Sequence, residues 1–284
     1  MKKFITATVS ALLAAVLAIS FAACAKGDPV KVIDIDLTNE EYGFCVRQDD
    51  SALLTQVNAV VARLTGEGID GVTVDSLFAA EVNKTAQNIG TVATTVSETG
   101  KPRSECLVVA TNTGFKPFEY KEGVYFAGID MHIAQILAEE LGKTLVIMDM
   151  QFDAIVPSVQ QGTADIGMAG MTITDEKEEN VQFSAPYYNA SQQIAVLASD
   201  TSFDNCKTKE DVENVLRGLV GKKVQAAASY TGYDYAEQFT NLALTAQDDI
   251  GTSVRELSQG KTDIVVGDKY TLNEMVAAIN AENG

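Results

Sequence analysis

Four stretches of this chain, and one isolated carboxylate, carry residue types that could hold a small charged molecule. Each lies just past a strand-like run. Thr111-Asn112-Thr113-Gly114-Phe115-Lys116-Pro117-Phe118-Glu119 follows the run 107–111, and Phe152 follows Met150-Gln151. Ala169-Gly170-Met171-Thr172-Ile173-Thr174-Asp175-Glu176-Lys177 follows 166–168. Ser229-Tyr230-Thr231-Gly232 joins the strand 223–228 to a helix starting near Tyr233, and Asp268 ends the strand 264–266. A strand-to-helix turn leaves backbone N–H groups free to receive an anion. Two aromatics, one lysine, amide donors and a carboxylate together suit a small zwitterion. Taken singly, each has a plainer role: Phe115 and Phe152 as core, Lys177 in the solvated charge run 175–179, Asp268 as a turn cap. Spacing alone favours those plainer roles.

Other chemistries lack their residues. The 284-residue chain has one histidine, four cysteines without paired spacing, and a formal charge of −18. A single histidine and unpaired cysteine spacings argue against a zinc site, and a His-based nucleophile would have to use His132, which falls beside a helix's apolar stripe and reads as a surface residue. Nucleic-acid binding needs a basic footprint that this composition lacks. No metal or cofactor is implied.

The elements that would position these stretches alternate between strand and helix. Residues 30–35 and 42–46 read as strands, and Leu53, Leu54, Val57, Val60 and Val61 recur at helical spacing. Residues 83–103 hold five Thr, two Gly and one Pro with no aromatic residue, and read as a linker. From Leu107 the pattern is strand, helix, strand: Ile133, Ile136, Leu137 and Leu141 share one helix face before Gly142, and a second helix stops at Gly162. One passage is echoed. Gln161-Gly162-Thr163-Ala164-Asp165-Ile166 is matched by Gln259-Gly260-Lys261-Thr262-Asp263-Ile264. Two such helix–turn–strand joints predict two similarly built α/β lobes with a cleft between them. Ligands of open α/β sheets sit at the carboxyl ends of strands.

The N-terminus reads as an export signal: Lys2 and Lys3 precede an apolar run that ends at Phe21-Ala22-Ala23-Cys24. That ending resembles a bacterial lipobox, with residues 1–23 removed and Cys24 acylated. No later run reaches the ~18 apolar residues of a membrane span. The mature chain, with 19 basic and 39 acidic side chains, is then expected to be extracytoplasmic and held at the membrane by its lipid alone. Cys45, Cys106 and Cys206 remain, allowing at most one internal disulfide; the first two sit in apolar runs and read as small buried hydrophobes.

The wording of the site stretches adds a resemblance. Residues 110–120, Gly128-Ile129-Asp130, 170–177 and Phe183-Ser184-Ala185-Pro186-Tyr187-Tyr188, continuing through 260–268, resemble the polar amino-acid-binding proteins of ABC importers, the family 3 extracytoplasmic solute-binding proteins. The resemblance covers about 104–284. It implies that Phe115 and Phe152 sandwich the ligand side chain and that Asn112 reads it. Asp268 would pair with the α-ammonium, helped by the Gly170 carbonyl and the Thr172 hydroxyl, while Thr231 and Gly232 receive the α-carboxylate. Lys177 stands where the family has an arginine, keeping the charge but losing the two-bond fork. Tyr230 stands where a glycine is usual before the threonine.

The segment 32–58 also resembles the family, but it is the part that usually closes such chains. The order therefore resembles a circular permutation, with 83–103 bridging the family's usual termini. The expected fold is α/β, a two-lobed periplasmic-binding-protein-like fold of type II. Lobe one would run over 41–194, including the linker 83–103, and lobe two over 28–40 with 195–284. Two crossover strands are expected near 41–48 and 192–198. The implied function is capture of an amino acid, or a related zwitterion, by a monomer that delivers it to an ABC permease without catalysis. An exported cyclohexadienyl-dehydratase-like enzyme, with Glu119 or Lys177 as acid or base, and a sensor or scavenger without a permease are the alternatives.

Overall fold

The computed structural model describes residues 29–228 and 230–283. The expected export signal and Cys24 lie outside the described residues.

The chain begins in β1 (Val30–Ile33), passes through β2 (Glu40–Tyr42) and enters β3 (Cys45–Arg47). After the helices Ser51–Leu64 and Val74–Val82 come β4 (Cys106–Thr111), the hairpin of β5 (Tyr120–Glu122) and β6 (Tyr125–Ala127), and β7 (Thr144–Asp149). β8 (Ile166–Gly167), β9 (Val181–Phe183) and β10 (Tyr188–Ala190) follow, then β11 (Gln192–Leu197), β12 (Lys223–Ala227), β13 (Ala243–Gln247) and β14 (Ile264–Asp268). Two five-stranded sheets result, ordered β7-β4-β8-β3-β9 in lobe one and β13-β12-β14-β11-β1 in lobe two. In each, three parallel strands are followed by an antiparallel one, β3 or β11.

Both sheets are covered on two faces, so their central strands are apolar without alternation. Every residue of β4 is buried. Leu107 and Val109 pack under the helices Ser51–Leu64 and Ile129–Glu140, while Cys106, Val108 and Ala110 face Ile155 and Val159. In lobe two, Val266 and Ile194 face Phe203 and Val212, while Ala195 and Val265 face Val254 and Leu272. Cys45 and Cys106 are buried free thiols, and burial pushes Cys45 up to about 12.

The echoed motif does the same work in both lobes. Asp165 accepts from the Val108 N–H at 2.8 Å and its own N–H donates to the Val108 carbonyl at 2.8 Å. Asp263 treats Lys223 likewise, at 2.9 and 3.0 Å. Each aspartate clamps its strand to the start of a neighbouring parallel strand.

The chain crosses between lobes in a two-stranded ribbon, with Glu40, Glu41 and Tyr42 paired antiparallel to Ala190, Asn189 and Tyr188. The second crossing thus precedes the expected 192–198. Residues 192–196 pair with β14 inside lobe two, so lobe two resumes near 191, not 195. The first crossing ends before β3, because Cys45–Arg47 already pairs with β8 and β9 in lobe one. The segment expected as a linker is docked: the Ile89 N–H donates to the Phe126 carbonyl, and Ala93 bridges Val146 on the edge strand β7. That covers a sheet edge otherwise open to pairing.

Gly128 shows how tightly the site loop meets the next helix. It precedes Ile129–Glu140 at φ +108°, and a Cβ there would lie 2.3 Å from the Phe118 carbonyl oxygen. Gly128→Ala is therefore expected to destabilise the protein by about 2–4 kcal/mol, read from urea unfolding followed by circular dichroism. An unchanged midpoint would contradict this close approach.

Candidate functional site

The cleft between the lobes encloses a cavity of about 390 Å³. Asn112, Phe115, Phe152, Gly170, Thr172 and Lys177 reach it from lobe one, and Thr231, Gly232 and Asp268 from lobe two. All nine residues singled out from sequence therefore line one space, at the carboxyl ends of β4, β8, β12 and β14 and in the loop after β7.

Asp268 is 7% exposed. Its Oδ1 accepts from the N–H groups of Tyr270 and Thr271, both at 3.1 Å, and its Oδ2 from the Tyr42 hydroxyl at 2.9 Å. Burial outweighs these bonds and pushes its pKa up to about 6. A cation is the partner such a desolvated carboxylate lacks. Gly170 beside it has φ +52°, and a Cβ would meet the Phe115 ring at 2.6 Å, so the backbone lies directly against the aromatic wall. Its N–H donates to Asp130 Oδ2 at 2.9 Å, and Asp130 Oδ1 accepts from Tyr187 at 2.6 Å.

Lys177 starts the opposite side. Thr174 caps its short helix and accepts from the Lys177 N–H, turning the side chain inward, and Nζ donates to the Thr172 carbonyl at 3.2 Å. Burial lowers its pKa, opposed by the charges of Asp234, Glu176 and Glu40. The N–H groups of Thr231 and Gly232 open the helix Thr231–Glu237, ahead of its first internal bond.

Glu40 was not singled out from sequence. It is 7% exposed, and its Oε2 accepts from the hydroxyls of Thr172 and Thr231, each at 2.8 Å. Gln192 Nε2 lies 3.0 Å from Thr231 Oγ1 and 3.4 Å from the same carboxylate oxygen. The Thr231 hydroxyl is thereby committed, so Thr231 offers a ligand its backbone N–H, not its side chain. The Thr172 hydroxyl hydrogen is likewise committed, which leaves its oxygen free to accept. The available signal was strand alternation: Glu40 and Tyr42 share a face of β2, which puts Tyr42 on Asp268 and Glu40 on the threonines.

Asn112 donates from Nδ2 to the Met150 carbonyl at 2.8 Å and accepts at Oδ1 from the Tyr230 hydroxyl at 3.0 Å. Tyr230 also stacks on Phe152, centroids 4.7 Å apart and planes at 23°. Glu119 is fully buried and does not line the cavity; among the described residues neither carboxyl oxygen has a hydrogen-bond partner, and burial with the charges of Asp130 and Asp268 holds its pKa well above the carboxylate range. Among the described residues no cluster could hold a metal ion.

Two α/β lobes closing on a cavity lined from both sides define a ligand-binding protein of the type II periplasmic class. The chain belongs to the bacterial extracellular solute-binding proteins, family 3, whose model matches residues 107–280. A "Probable histidine-binding protein" of Campylobacter jejuni is 26% identical over 201 residues, covering 71% of this chain and 72% of the relative. A cyclohexadienyl dehydratase of Pseudomonas aeruginosa is 36% identical over 99 residues, 34% of this chain and 37% of that enzyme. Among solved structures, an ancestral arginine-binding protein bound to arginine shares 31% identity and a TM-score of 0.55, covering 63% of this chain and 76% of that one.

The buried carboxyls make stability depend on pH. Asp130 is pushed up to about 7, chiefly by burial, and Asp268 to about 6, whereas the unfolded chain releases these protons near pH 4. The folded form therefore holds protons that the unfolded form has lost, and this contribution is forfeited as pH rises through 6 and 7. Calorimetry without ligand should give a melting temperature lower at pH 7.5 than at pH 5.5 by roughly 5 °C, and Asp130→Asn should flatten the difference. A melting temperature rising over that interval would contradict the assignment.

Proposed function

We propose that this protein is an exported solute-binding lipoprotein that captures an α-amino acid between its lobes and presents the closed form to an ABC permease. The observation that carries this reading is the cavity: one desolvated carboxylate, one half-buried lysine and backbone donors, flanked by aromatic rings, on walls contributed by both lobes. The family match and the histidine- and arginine-binding names of its relatives support it. Asp268, the Gly170 carbonyl and the Thr172 oxygen hold the ammonium. Lys177 and the N–H groups of Thr231 and Gly232 hold the carboxylate. Only the closed form lets a single ligand touch both sets, so binding shifts the lobes toward closure.

Removing one partner of a buried charge pair costs about 2–5 kcal/mol, much of it from the charge left behind. Asp268→Ala is expected to weaken amino-acid binding at least ~100-fold by isothermal titration. Lys177→Arg should hold or improve affinity by restoring a two-bond fork. Unchanged affinity in Asp268→Ala would sink the ammonium assignment. The dehydratase relative keeps an enzyme reading in view; of that reading's two candidate acid–base groups, Glu119 is sealed away from the cavity and Lys177 lines it as the partner assigned to the ligand carboxylate, which favours binding without turnover. Conversion of prephenate or arogenate by the purified protein would reverse that preference.

We further propose that the chain is circularly permuted. The family model begins at residue 107, yet β1, β2 and β3, which precede it, supply a strand to each lobe and one half of the crossing ribbon. The segment 83–103 then serves to join ends that relatives leave free. Cleavage within 83–103 is expected to leave two fragments that co-purify and bind amino acids within about threefold of the intact chain. Dissociation on cutting would contradict it.

A further inference from the structure

The three side chains expected to receive a ligand's side chain are already engaged by one residue of the opposite lobe. Tyr230 comes from the turn after β12 in lobe two, yet its ring packs against the apolar core of lobe one. It stacks on Phe152 at 4.7 Å and 23°, meets Phe115 at 5.6 Å and 57°, and its hydroxyl donates to Asn112 Oδ1 at 3.0 Å. The Asn112 amide is itself fixed, since its nitrogen donates to the Met150 carbonyl at 2.8 Å.

We propose that Tyr230 is the specificity-determining residue of this site: its phenol occupies the stacking face of Phe152 and selects against α-amino acids whose planar side chains would bind there. The inference rests on the amino-acid reading above. A planar cation such as a guanidinium binds an aromatic slot by lying over a ring face. On Phe152 that layer is taken by the phenol, and the polar end of the slot, Asn112, has its oxygen bonded to the same residue. The cavity of about 390 Å³ exists with the phenol in place, so what the phenol denies a ligand is the stacking position on Phe152, while space next to Asp268 and Lys177 stays open. A planar side chain that stacks on Phe152 would have to displace a ring held by a stack, a tilted contact and a hydrogen bond at once. Selection here works by filling space against the unwanted ligand, as specificity commonly requires.

The test is the ratio of alanine to arginine affinity, measured by isothermal titration on the full mature chain. Tyr230 is the N-cap of the helix Thr231–Glu237, where serine is well tolerated, so Tyr230→Ser empties the slot without removing a capping residue. The unaltered protein is expected to favour alanine at least tenfold. Tyr230→Ser should shift the ratio toward arginine by at least tenfold. Tyr230→Phe, which keeps the ring and loses the bond to Asn112, should shift it by no more than threefold. A ratio that favours arginine in the unaltered protein, or one that Tyr230→Ser does not move, would overturn the role of Tyr230 while leaving amino-acid binding intact. Absence of heat with both amino acids in all three proteins would instead overturn the amino-acid reading, and this inference with it.

Discussion

Glu40 is the point on which the two lobes are joined. Its carboxylate stands in the crossing ribbon and takes one hydroxyl from Thr172 of lobe one and another from Thr231 of lobe two. A buried charge is costly unless hydrogen bonds satisfy it, and these bonds exist only where both lobes face the ribbon. Two residues further along the same face, Tyr42 reaches Asp268. One short strand thereby sets both sides of the cavity: it commits the threonine hydroxyls and orients the carboxylate. Thr172, whose carbonyl accepts from Lys177, and the helix beginning at Thr231 are both tied to the ribbon by those commitments.

The charges inside the lobes follow a second constraint. Glu119 and Asp130 lie behind the cavity and Asp268 in its wall, and burial raises the pKa of each. Asp130 is held by Tyr187 and the Gly170 N–H, so it ties down the backbone at Gly170 in the cavity wall. Glu119 has no such partner among the described residues, and burial beside the charges of Asp130 and Asp268 disfavours its ionised form. The acidic excess of the sequence thus has an inner component with a positional role, distinct from the exposed carboxylates that make up most of it.

Much of this architecture was legible from residue order. The echoed Gly–turn–Asp joints marked the two sheets, and each aspartate does clamp a neighbouring strand. The nine residues that line the cavity stood out because they follow strand ends and resemble a family's wording. Three features were not legible, for physical reasons. β2 and β10 are three residues each, too short to show a period, and pair over nearly 150 residues, so the crossing was expected too late in the chain. The segment 83–103 has a linker's composition but lies on a sheet edge through backbone bonds, which composition does not encode. The reach of Tyr230 across the cleft depends on how the lobes approach each other, a tertiary fact absent from any local pattern.

The central claim is that one amino acid bridges both lobes and thereby draws them together. Small-angle X-ray scattering of the mature protein, with and without saturating amino acid, measures this directly. A smaller radius of gyration is expected on binding, with loss of that compaction when Asp268 is replaced. Saturable binding with an unchanged radius of gyration would contradict it.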